Sequence, residues 1–321
     1  MAAAKTLAAA VALILTAAVP SVIGAAWAAP GAQAERHISI NFPGKDKLGV
    51  VWETKADASI NAKSLATLKG YEARGLVRFS AHNAVLFKPS FTAVESGILS
   101  QPINGGDVDA LDARKLPFDD KKLACLANFP NLQRLDLGAT DVSDKSLARI
   151  GALKKLVCLT LNRSLVTAAG MSHLAGLSHL TTLHLSYTPL GGGSLAGLAD
   201  LPALVELDLD RTQLSDNQVN SLLGLKHLRI LKVSYNKGIT DVSIGHFLKF
   251  KELQKLDLTD TSVTIAGLRR LKPMGLQRLE FRFSSYADDD IAELKAYLRP
   301  TELVNGGLSK KVPAEIFAPL H

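Results

Sequence analysis

A short alternation of apolar and polar residues recurs seven times along residues 131–300. In the first copy, Leu135 and Leu137 alternate with Arg134 and Asp136, which is the two-residue period of a half-buried strand. The copies begin at residues 131, 155, 179, 203, 227, 252 and 275, so successive copies stand 23 to 25 residues apart. A fixed period of this length predicts one supersecondary unit per copy.

Each strand motif is followed by a second pattern that predicts a turn and a helix. Three residues beyond the last strand leucine stands a small polar residue, able to bond the backbone where the chain turns inward. This column comprises Thr140, Ser164, Thr188, Thr212, Thr261 and Ser284, with Asn236 in the fifth copy. Helix-start residues such as Ser143 and Thr240 come next, and apolar residues then recur at helical spacing, as in Leu147, Ile150 and Leu153.

Stacking such units predicts an α/β solenoid, because no single strand–turn–helix unit can bury its apolar face alone. Strands are narrower than helices, so the stack is expected to curve into a horseshoe. The parallel β-sheet would line the concave face, and the short helices would form the convex face. Residues 106–304 are assigned to this repeat domain, with 106–130 as a degenerate first copy.

The segment before the repeats, 35–105, is predicted to be a small β-rich cap that covers the first repeat. Strand-like runs at 38–42 and 48–53 suggest one hairpin, and those at 76–79 and 84–87 suggest another. A helix-like piece between them carries Leu65, Leu68 and Tyr71. The residues after the last strand, 305–321, are treated as a tail.

The N-terminal residues are predicted to form a targeting segment. Lys5 precedes an apolar stretch at residues 7–19, and small residues follow, with cleavage expected after Ala28 or Ala34. Residues 1–34 are therefore taken as a signal peptide, with an uncleaved anchor as the alternative. No later stretch approaches the roughly 18 apolar residues that span a bilayer, so the mature chain is expected to be exported, periplasmic or secreted.

Charge and cysteine content narrow the possible partners. The net charge is +7, but basic residues are spread through every repeat among acidic ones, so nucleic-acid binding is not expected. The repeat phase places Cys125 on the outer helix face and Cys158 on the strand face, so no disulfide between them is predicted. An intermolecular bridge remains open, and neither cysteine suggests a metal.

A candidate binding surface follows from the strand alternation. The residue just beyond each strand lines what we call the rim row: Ala139, Arg163, Tyr187, Arg211, Tyr235, Asp260 and Phe283. Tyr and Arg are enriched in binding hot spots, and four successive repeats alternate Arg163, Tyr187, Arg211 and Tyr235. The alternative is that these side chains merely stack on one another at a solvated surface.

Polar residues on the same strands add to this candidate site. His184, Asp208, Asp210 and Lys232 are expected to project from the concave side and to supply directional contacts. His184 beside Asp208 or Asp210 could form a base–carboxylate pair, but no nucleophile motif accompanies it. No catalytic residue, metal site or cofactor is therefore assigned.

The pattern L-x-x-L-x-L-x-x-T-x-V-[ST]-D-x-x-L, seen at residues 132–147, resembles that of bacterial leucine-rich repeat proteins with repeats of about 24 residues. The hydroxyl column and the helical second half look more like the cysteine-containing, F-box-associated subclass than like the internalins. No F-box is recognisable. Gly191, Gly192 and Gly193 replace a helix-start Ser or Thr, so that helix is expected to begin late.

The resemblance implies a protein-interaction role. We therefore expect an exported, non-enzymatic module that binds a protein or peptide on the concave face. An envelope-associated scaffold that is structural or binds polysaccharide is the first alternative. A hydrolase centred on His184 is the second.

Overall fold

The computed structural model describes residues 38–43, 47–55, 70–79 and 83–306. It divides into two compact units. The first contains the described residues up to Ser164 together with His179–Thr181, and the second contains Leu165–Ser178 and Thr182–Gly306. The predicted signal peptide, residues 1–34, lies outside the described residues. In the part of the chain that is described, no helix has the length and apolar character needed to cross a bilayer.

Most strands of the first unit join one sheet. Its strands are β1 (Ile38–Phe42), β2 (Gly49–Lys55), β3 (Gly70–Glu72), β4 (Gly75–Phe79), β5 (Asn83–Pro89), β6 (Ala110–Asp112), β7 (Arg134–Asp136) and β8 (Cys158–Thr160). The sheet runs in the order β3–β2–β5–β6–β7–β8, antiparallel as far as β5 and parallel from β5 onward. The N-terminal strands thus continue the repeat sheet.

The predicted hairpins of the N-terminal segment are wrong in their partners. Strand β1 pairs with β4 in a separate antiparallel ladder, and β2 pairs with β5 instead of β1. Tyr71, expected in a helix, lies in β3, whereas Leu65 and Leu68 fall outside the described residues. These pairings join residues distant in sequence, and this segment has no repeat register that would reveal them.

The second unit is a regular parallel sheet. Its strands, in spatial order, are β9 (Thr182–His184), β10 (Glu206–Asp208), β11 (Ile230–Lys232), β12 (Lys255–Asp257), β13 (Arg278–Phe281) and β14 (Glu302–Asn305). Every neighbouring pair is parallel and in register, with Leu183, Leu207, Leu231, Leu256 and Leu279 side by side. The predicted solenoid with a parallel sheet and short helices is confirmed.

The helical halves of the repeats are short. The α-helices are α1 (Phe91–Glu95), α2 (Asp144–Ile150), α3 (Ala196–Ala199), α4 (Asp216–Ser221), α5 (Asp241–Phe247), α6 (Ile265–Arg269) and α7 (Asp288–Tyr297). Five 3-10 segments, at Ile98–Ser100, Lys122–Asn128, Ala168–Leu174, Lys272–Met274 and Phe283–Ser285, complete the described helical structure. As expected, the helix after the triple glycine begins late, at Ala196, without a side-chain cap.

The apolar positions form the core as the periodicity predicts. The strand leucines Leu135, Leu159 and Leu183 are at most 1% exposed. Leu147, Ile150 and Leu153 are buried as well, and so are the apolar residues at the matching helix positions of the other copies, except for half-buried Met274 and for Tyr297, which is 45% exposed. Burial of this apolar surface, at roughly 25 cal/mol per Å², is the main stabilising term of each unit.

Neighbouring repeats share their helix caps. The Asp216 carboxylate accepts hydrogen bonds from the backbone N–H (2.9 Å) and the hydroxyl (2.7 Å) of Thr240, the N-cap of α5. Asp120 accepts the same pair of bonds from Ser143, the N-cap of α2. A carboxylate at a helix N-terminus also interacts favourably with the helix dipole. One repeat therefore stabilises the start of the next repeat's helix.

The hydroxyl column turns the chain inward after each strand. Thr140, Ser164 and Thr212 each donate to the carbonyl three residues earlier, at 2.7 Å. Asn236 does more, because its amide nitrogen donates to three carbonyls while its oxygen accepts the backbone N–H groups of Thr212 and Leu214. Ser284 departs from the column and lies exposed in a 3-10 turn.

Both cysteines are buried and neither is in a disulfide, so the prediction of no disulfide between them is confirmed. The expected outward position of Cys125 is wrong, because this residue is only 1% exposed within the 3-10 segment Lys122–Asn128. A 3-10 helix has three residues per turn instead of 3.6, which rotates side chains away from their α-helical positions. Burial raises the pKa of the Cys125 thiol to about 12, so it is protonated and unreactive.

Candidate functional site

The strand face of the second unit carries one continuous polar row. The side chains of His184, Asp208, Lys232, Asp257 and Glu280 occupy matching positions on β9 to β13 and alternate with the buried leucines. Adjacent positions are about 4.8 Å apart across a sheet, so each charge lies next to its neighbours. We call this surface, together with the residues that flank the row, the strand face.

His184 is paired with Glu206. The His184 Nε2 atom lies 3.4 Å from Glu206 Oε1, and the same carboxylate oxygen accepts a bond from Lys232 Nζ at 3.0 Å. Burial alone would raise the pKa of Glu206, but the His184 hydrogen bond and the Lys232 charge outweigh it and lower this pKa to about 2. The predicted pairing of His184 with Asp208 or Asp210 is therefore wrong.

Asp208 and Asp210 are held by other groups. The Ser186 hydroxyl donates to Asp208 Oδ1 at 2.6 Å, and the Asp210 N–H donates to the same oxygen at 3.1 Å. Asp210 Oδ1 accepts the Ser234 backbone N–H at 2.7 Å. Both carboxylates are thus fixed in direction without help from His184.

Asp208, Asp210 and Asp257 form what we call the acidic cluster. Burial, together with the negative charges of Asp208 and Asp257, raises the pKa of Asp210 to about 7. Burial and the charge of Glu280 raise the pKa of Asp257 as well. Among the described residues, no ion pair reaches Asp210 or Asp257 within 4 Å. The cluster can therefore accept a cation or a hydrogen-bond donor.

The first unit offers a direct comparison for this cluster. Asp112, only 5% exposed, is paired with the Arg114 guanidinium at 2.8 Å and with Lys88 Nζ at 3.5 Å. Burial would raise the pKa of Asp112, but the two cations reverse that effect and the pKa is lowered. A buried aspartate on this fold is thus compensated where a cation is present. Asp210 is not compensated in that way.

The rim row of the second unit forms a stacked triplet. The Arg211 guanidinium carbon lies 3.6 Å from the Tyr235 ring centroid and 5.3 Å from that of Tyr187. Tyr187 remains 40% exposed, and Arg211 is exposed as well. Arg163, the fourth predicted member, belongs to the first unit and is half-buried there. The three predicted rim residues that lie in the second unit are therefore brought together.

The rim backbone is left-handed at nearly every repeat. The φ angles are +57° at Arg163, +61° at Tyr187, +54° at Arg211, +57° at Tyr235 and +55° at Asp260. The N–H groups of Tyr187, Arg211 and Tyr235 each donate to a carbonyl of the next repeat. For a residue with a side chain this conformation costs on the order of 1 kcal/mol, whereas glycine adopts it freely. No rim position of the second unit uses glycine.

The far end of the rim differs from the prediction. Phe283, expected in the row, lies in the 3-10 turn Phe283–Ser285 and packs on Phe281 with ring centroids 4.8 Å apart. Arg282 instead forms a two-pronged ion pair with Asp260, with its Nε atom 2.6 Å from Oδ1. A turn of different geometry after β13 removes Phe283 from the series.

Several residues of this surface were not assigned a role from the sequence. Glu206, Asp257, Ser186 and Arg282 all hold or surround the predicted residues. Strand alternation could have identified Glu206 and Asp257, because both share the outward phase of His184 and Lys232. Which outward residues pair with each other depends on side-chain conformations, and the period carries no information on those. Among the described residues, no three His, Cys, Asp or Glu side chains converge to hold a metal ion.

Comparison with known proteins agrees with this architecture. Two family models described as leucine-rich repeat match residues 202–263 and 176–199, so these residues are leucine-rich repeats. No curated protein matches this chain.

Two solved structures are similar to the chain. One is an internalin (InlF) from Listeria monocytogenes, with 17% sequence identity over 67% of this chain and 68% of that one, and a TM-score of 0.47. The other is a plant peptide hormone receptor, RGFR1 in complex with RGF2, with 19% identity over 54% of this chain and a TM-score of 0.37. This second match spans 32% of the receptor chain.

Proposed function

We propose that this leucine-rich repeat protein is an exported, non-enzymatic module that captures a protein or peptide on the strand face and rim row of its second unit. The observation that carries the proposal is the triplet Tyr187, Arg211 and Tyr235, whose side chains project from left-handed backbone positions. Glycine would fit these positions at lower cost. Large recognition side chains at strained positions favour a role at the surface over a role in folding.

The chemistry of the triplet suits an interface. Arg211 is sandwiched between two aromatic rings, which limits the rotamer entropy that it would lose on binding. Tyrosine and arginine are also the residue types that most often carry binding energy. The triplet offers flat aromatic surface together with hydrogen-bond donors.

The polar row beside the triplet would supply directional contacts. Asp208, Asp210 and Lys232 are oriented by hydrogen bonds or ion pairs, so a ligand would meet groups that are already in place. Preorganised polar groups raise specificity because a ligand that lacks the matching group leaves them unpaired.

A hydrolytic role for His184 has little support in this arrangement. The imidazole is only 17% exposed in its side chain and points at Glu206, whose carboxylate is shared with Lys232. The Ser186 hydroxyl, two residues beyond His184, donates to Asp208. The proposal therefore assigns His184 to positioning Glu206, and export rests on the N-terminal sequence alone.

The test is capture on the immobilised full chain, followed by affinity measurement with the protein or peptide recovered. Tyr187→Ala combined with Tyr235→Ala should weaken binding at least tenfold, because two aromatic contacts are lost. Tyr297→Ala is the matched control, since Tyr297 is 45% exposed and lies under the Lys272 ammonium at 4.0 Å, on helix α7 instead of the rim. Equal affinity in the double variant and the control would remove this site.

The same protein variants distinguish the proposed function from the alternative, an envelope-associated scaffold. Isolated cell-wall polysaccharide is incubated with the wild-type chain and with the double tyrosine variant. Retention on polysaccharide together with no recovered protein would replace the proposal with the scaffold function.

A further inference from the structure

The positive charge of Arg211 is held differently from those of its neighbours. Four arginines of the second unit are each paired with a carboxylate: Arg229 with Glu252, Arg269 with Glu293, Arg278 with Glu280 and Arg282 with Asp260. The side chain of Arg211 lies instead against the rings of Tyr187 and Tyr235. Within the described part of the chain, no carboxylate or carbonyl accepts a hydrogen bond from its guanidinium.

Stacking on aromatic rings leaves the hydrogen-bonding capacity of Arg211 unused. A guanidinium meets a ring through its charge and its flat face, whereas its N–H groups point outward in its own plane. Two of these N–H groups match the two oxygens of a carboxylate, which gives a short bidentate contact. Arg211 is exposed, so a ligand can reach these donors. An anion can therefore bind without displacing either ring.

The stack is fixed from the side of Tyr235. The side chain of Tyr235, whose ring centroid lies 3.6 Å from the Arg211 guanidinium carbon, is also hydrogen-bonded to Arg282. Arg282 in turn forms the two-pronged ion pair with Asp260. Asp260 thus neutralises Arg282 and, through it, orients Tyr235. Arg211 is left as an oriented positive charge at the centre of the triplet.

A single available charge selects the kind of anion that fits. A phosphate group carries about two negative charges at neutral pH and would need a second cation. Arg282, the next cation along the rim, is already paired with Asp260. A carboxylate carries one charge and has the two oxygens that a guanidinium binds side by side. In a protein or peptide ligand, aspartate and glutamate side chains supply that group.

Exposed apolar surface continues from the triplet. Tyr187 is 40% exposed and Leu165 is 56% exposed. Leu165 and Pro189, which is exposed as well, stand two residues beyond the rim in successive repeats. An ion pair left in water contributes little, because solvent screens it. A ligand segment packed on this apolar surface would exclude water from a carboxylate on Arg211 and strengthen that contact.

We infer that the ligand of the rim row presents the side-chain carboxylate of an aspartate or glutamate, and that Arg211 binds this carboxylate between Tyr187 and Tyr235. The inference rests on the proposed function, because it names the group that the same site recognises. Arg211 makes the site selective for acidic segments, whereas the two tyrosines supply contact area to any segment that packs on them.

Selection from a random peptide library displayed on phage tests this specificity, with the intact chain as the immobilised target. The peptides are fused to the phage through their C-termini, so only side chains supply carboxylates. We expect aspartate and glutamate to be enriched on the wild-type chain and not on Arg211→Gln. Glutamine suits this backbone, since Gln213 has a φ of +61°. No acidic enrichment, or equal enrichment on both chains, overturns the inference.

A selected peptide then allows a quantitative measurement. It is synthesised with its acidic residue and with the corresponding amide, and fluorescence anisotropy gives the affinity of both peptides for the wild-type and Arg211→Gln chains. Each change alone should weaken binding about tenfold, and both together should add little, because they remove one shared contact. Losses that multiply in the double change contradict the inference.

Arg270→Gln is the matched control for charge. Arg270 is exposed at the end of α6, away from the rim, and donates to the Asp241 carbonyl at 3.3 Å. Its replacement removes the same charge from the second unit, so affinity for the acidic peptide should stay within about twofold of wild type. A loss equal to that of Arg211→Gln would show that net charge governs binding, and would overturn the inference.

The proposed function and this specificity fail separately. Peptides that bind the wild-type chain, lose affinity for the Tyr187→Ala, Tyr235→Ala variant and show no acidic preference would leave the proposed function standing and overturn the role of Arg211. Selection of the same peptides by the wild-type chain and the double tyrosine variant would remove the rim site, and the inference with it.

Discussion

The guanidinium carbon of Arg211 lies 3.6 Å from the ring centroid of Tyr235, and both residues have left-handed backbones, with φ of +54° and +57°. Neither residue is required by the turn itself, because Ala139 and Lys115 adopt the same φ elsewhere in the chain. The stack is therefore a property of the side chains that the repeats present at this position. Four experiments test this backbone conformation and the environments of Asp210, Glu206 and Asn236.

Arg211 should show an unusual order of stability in glycine and alanine variants. Arg211→Gly should unfold with a free energy about 1 kcal/mol higher than Arg211→Ala, because only glycine is unstrained at positive φ. Val242, which is 63% exposed in helix α5, is the control, and there glycine should be the less stable variant by about 1 kcal/mol. Urea unfolding measures both pairs, and the same order at both positions would refute the strain argument.

Asp210 should make the protein less stable as pH rises. Its folded pKa of about 7 is above its ordinary value of 3.8, so the folded state binds the proton more tightly than the unfolded state. The stabilisation of the folded state by protonated Asp210 is fully present below about pH 4 and is lost as the pH rises toward and through 7. Asp210→Asn should therefore raise the free energy of unfolding at pH 8 by roughly 1–3 kcal/mol.

Asp112→Asn is the opposite control for that experiment. The pKa of Asp112 is lowered in the folded state, so its charged form is favoured and the variant should be destabilised at pH 8. Urea unfolding across pH 4 to 8 measures both variants. A destabilised Asp210→Asn protein at pH 8 would contradict the environment described for this carboxyl group.

Glu206→Gln should destabilise the second unit near neutral pH. The pKa of Glu206 is lowered to about 2, so its contribution is present above its ordinary value of 4.5 and is lost as pH falls from there toward 2. Removing its charge leaves Lys232 and His184 without their shared carboxylate, at a cost of about 2–3 kcal/mol. Thermal unfolding across pH 7 to pH 2 should show the full difference between the variant and the wild type at pH 7 and a progressively smaller one as the pH falls from 4.5 toward 2.

Glu252→Gln serves as the exposed counterpart. Glu252 also pairs with a histidine and a cation, His227 and Arg229, but its side chain is 37% exposed compared with 9% for Glu206. Solvent screening should limit its effect to less than about 1 kcal/mol. Equal losses in the two variants would show that burial does not govern the Glu206 pair.

Asn236 should be the most sensitive member of the hydroxyl column. Asn236→Ala leaves the N–H groups of Thr212 and Leu214 without their acceptor in a buried turn, which should cost about 2–4 kcal/mol. Asn236→Thr restores the bond to the Val233 carbonyl only, as Thr212 bonds Leu209, and should recover part of the loss. Equal stability of the alanine and threonine variants, measured by urea unfolding, would contradict this ranking.

The sequence predicts this fold well where its repeats are regular. The alternation of Leu135 and Leu137 with polar residues, and the N-caps Ser143 and Thr240, are all found as expected. Such features depend on residues close together within one repeat, and the regular spacing of the repeats places those residues at matching positions. The pairing of β1 with β4, by contrast, joins residues 38–42 to 75–79 without any repeating register.

The candidate site was predictable only in part, for a related reason. Their position within the sequence repeat was enough to place Tyr187, Arg211 and Tyr235 on one row, and the structure brings them into contact. The repeat phase could not show that His184 bonds Glu206, because Glu206 and Asp208 both lie in the outward phase of the neighbouring strand β10. Side-chain conformation and burial decide among them.

Lys115 and the rim positions from Ala139 to Asp260 have almost the same φ, between +54° and +61°, although alanine, lysine, arginine, tyrosine and aspartate all occur there. The backbone thus adopts the same conformation whichever of these residue types stands at the position. Substitutions at these positions can therefore change the chemistry of the exposed rim row without changing the backbone that carries it.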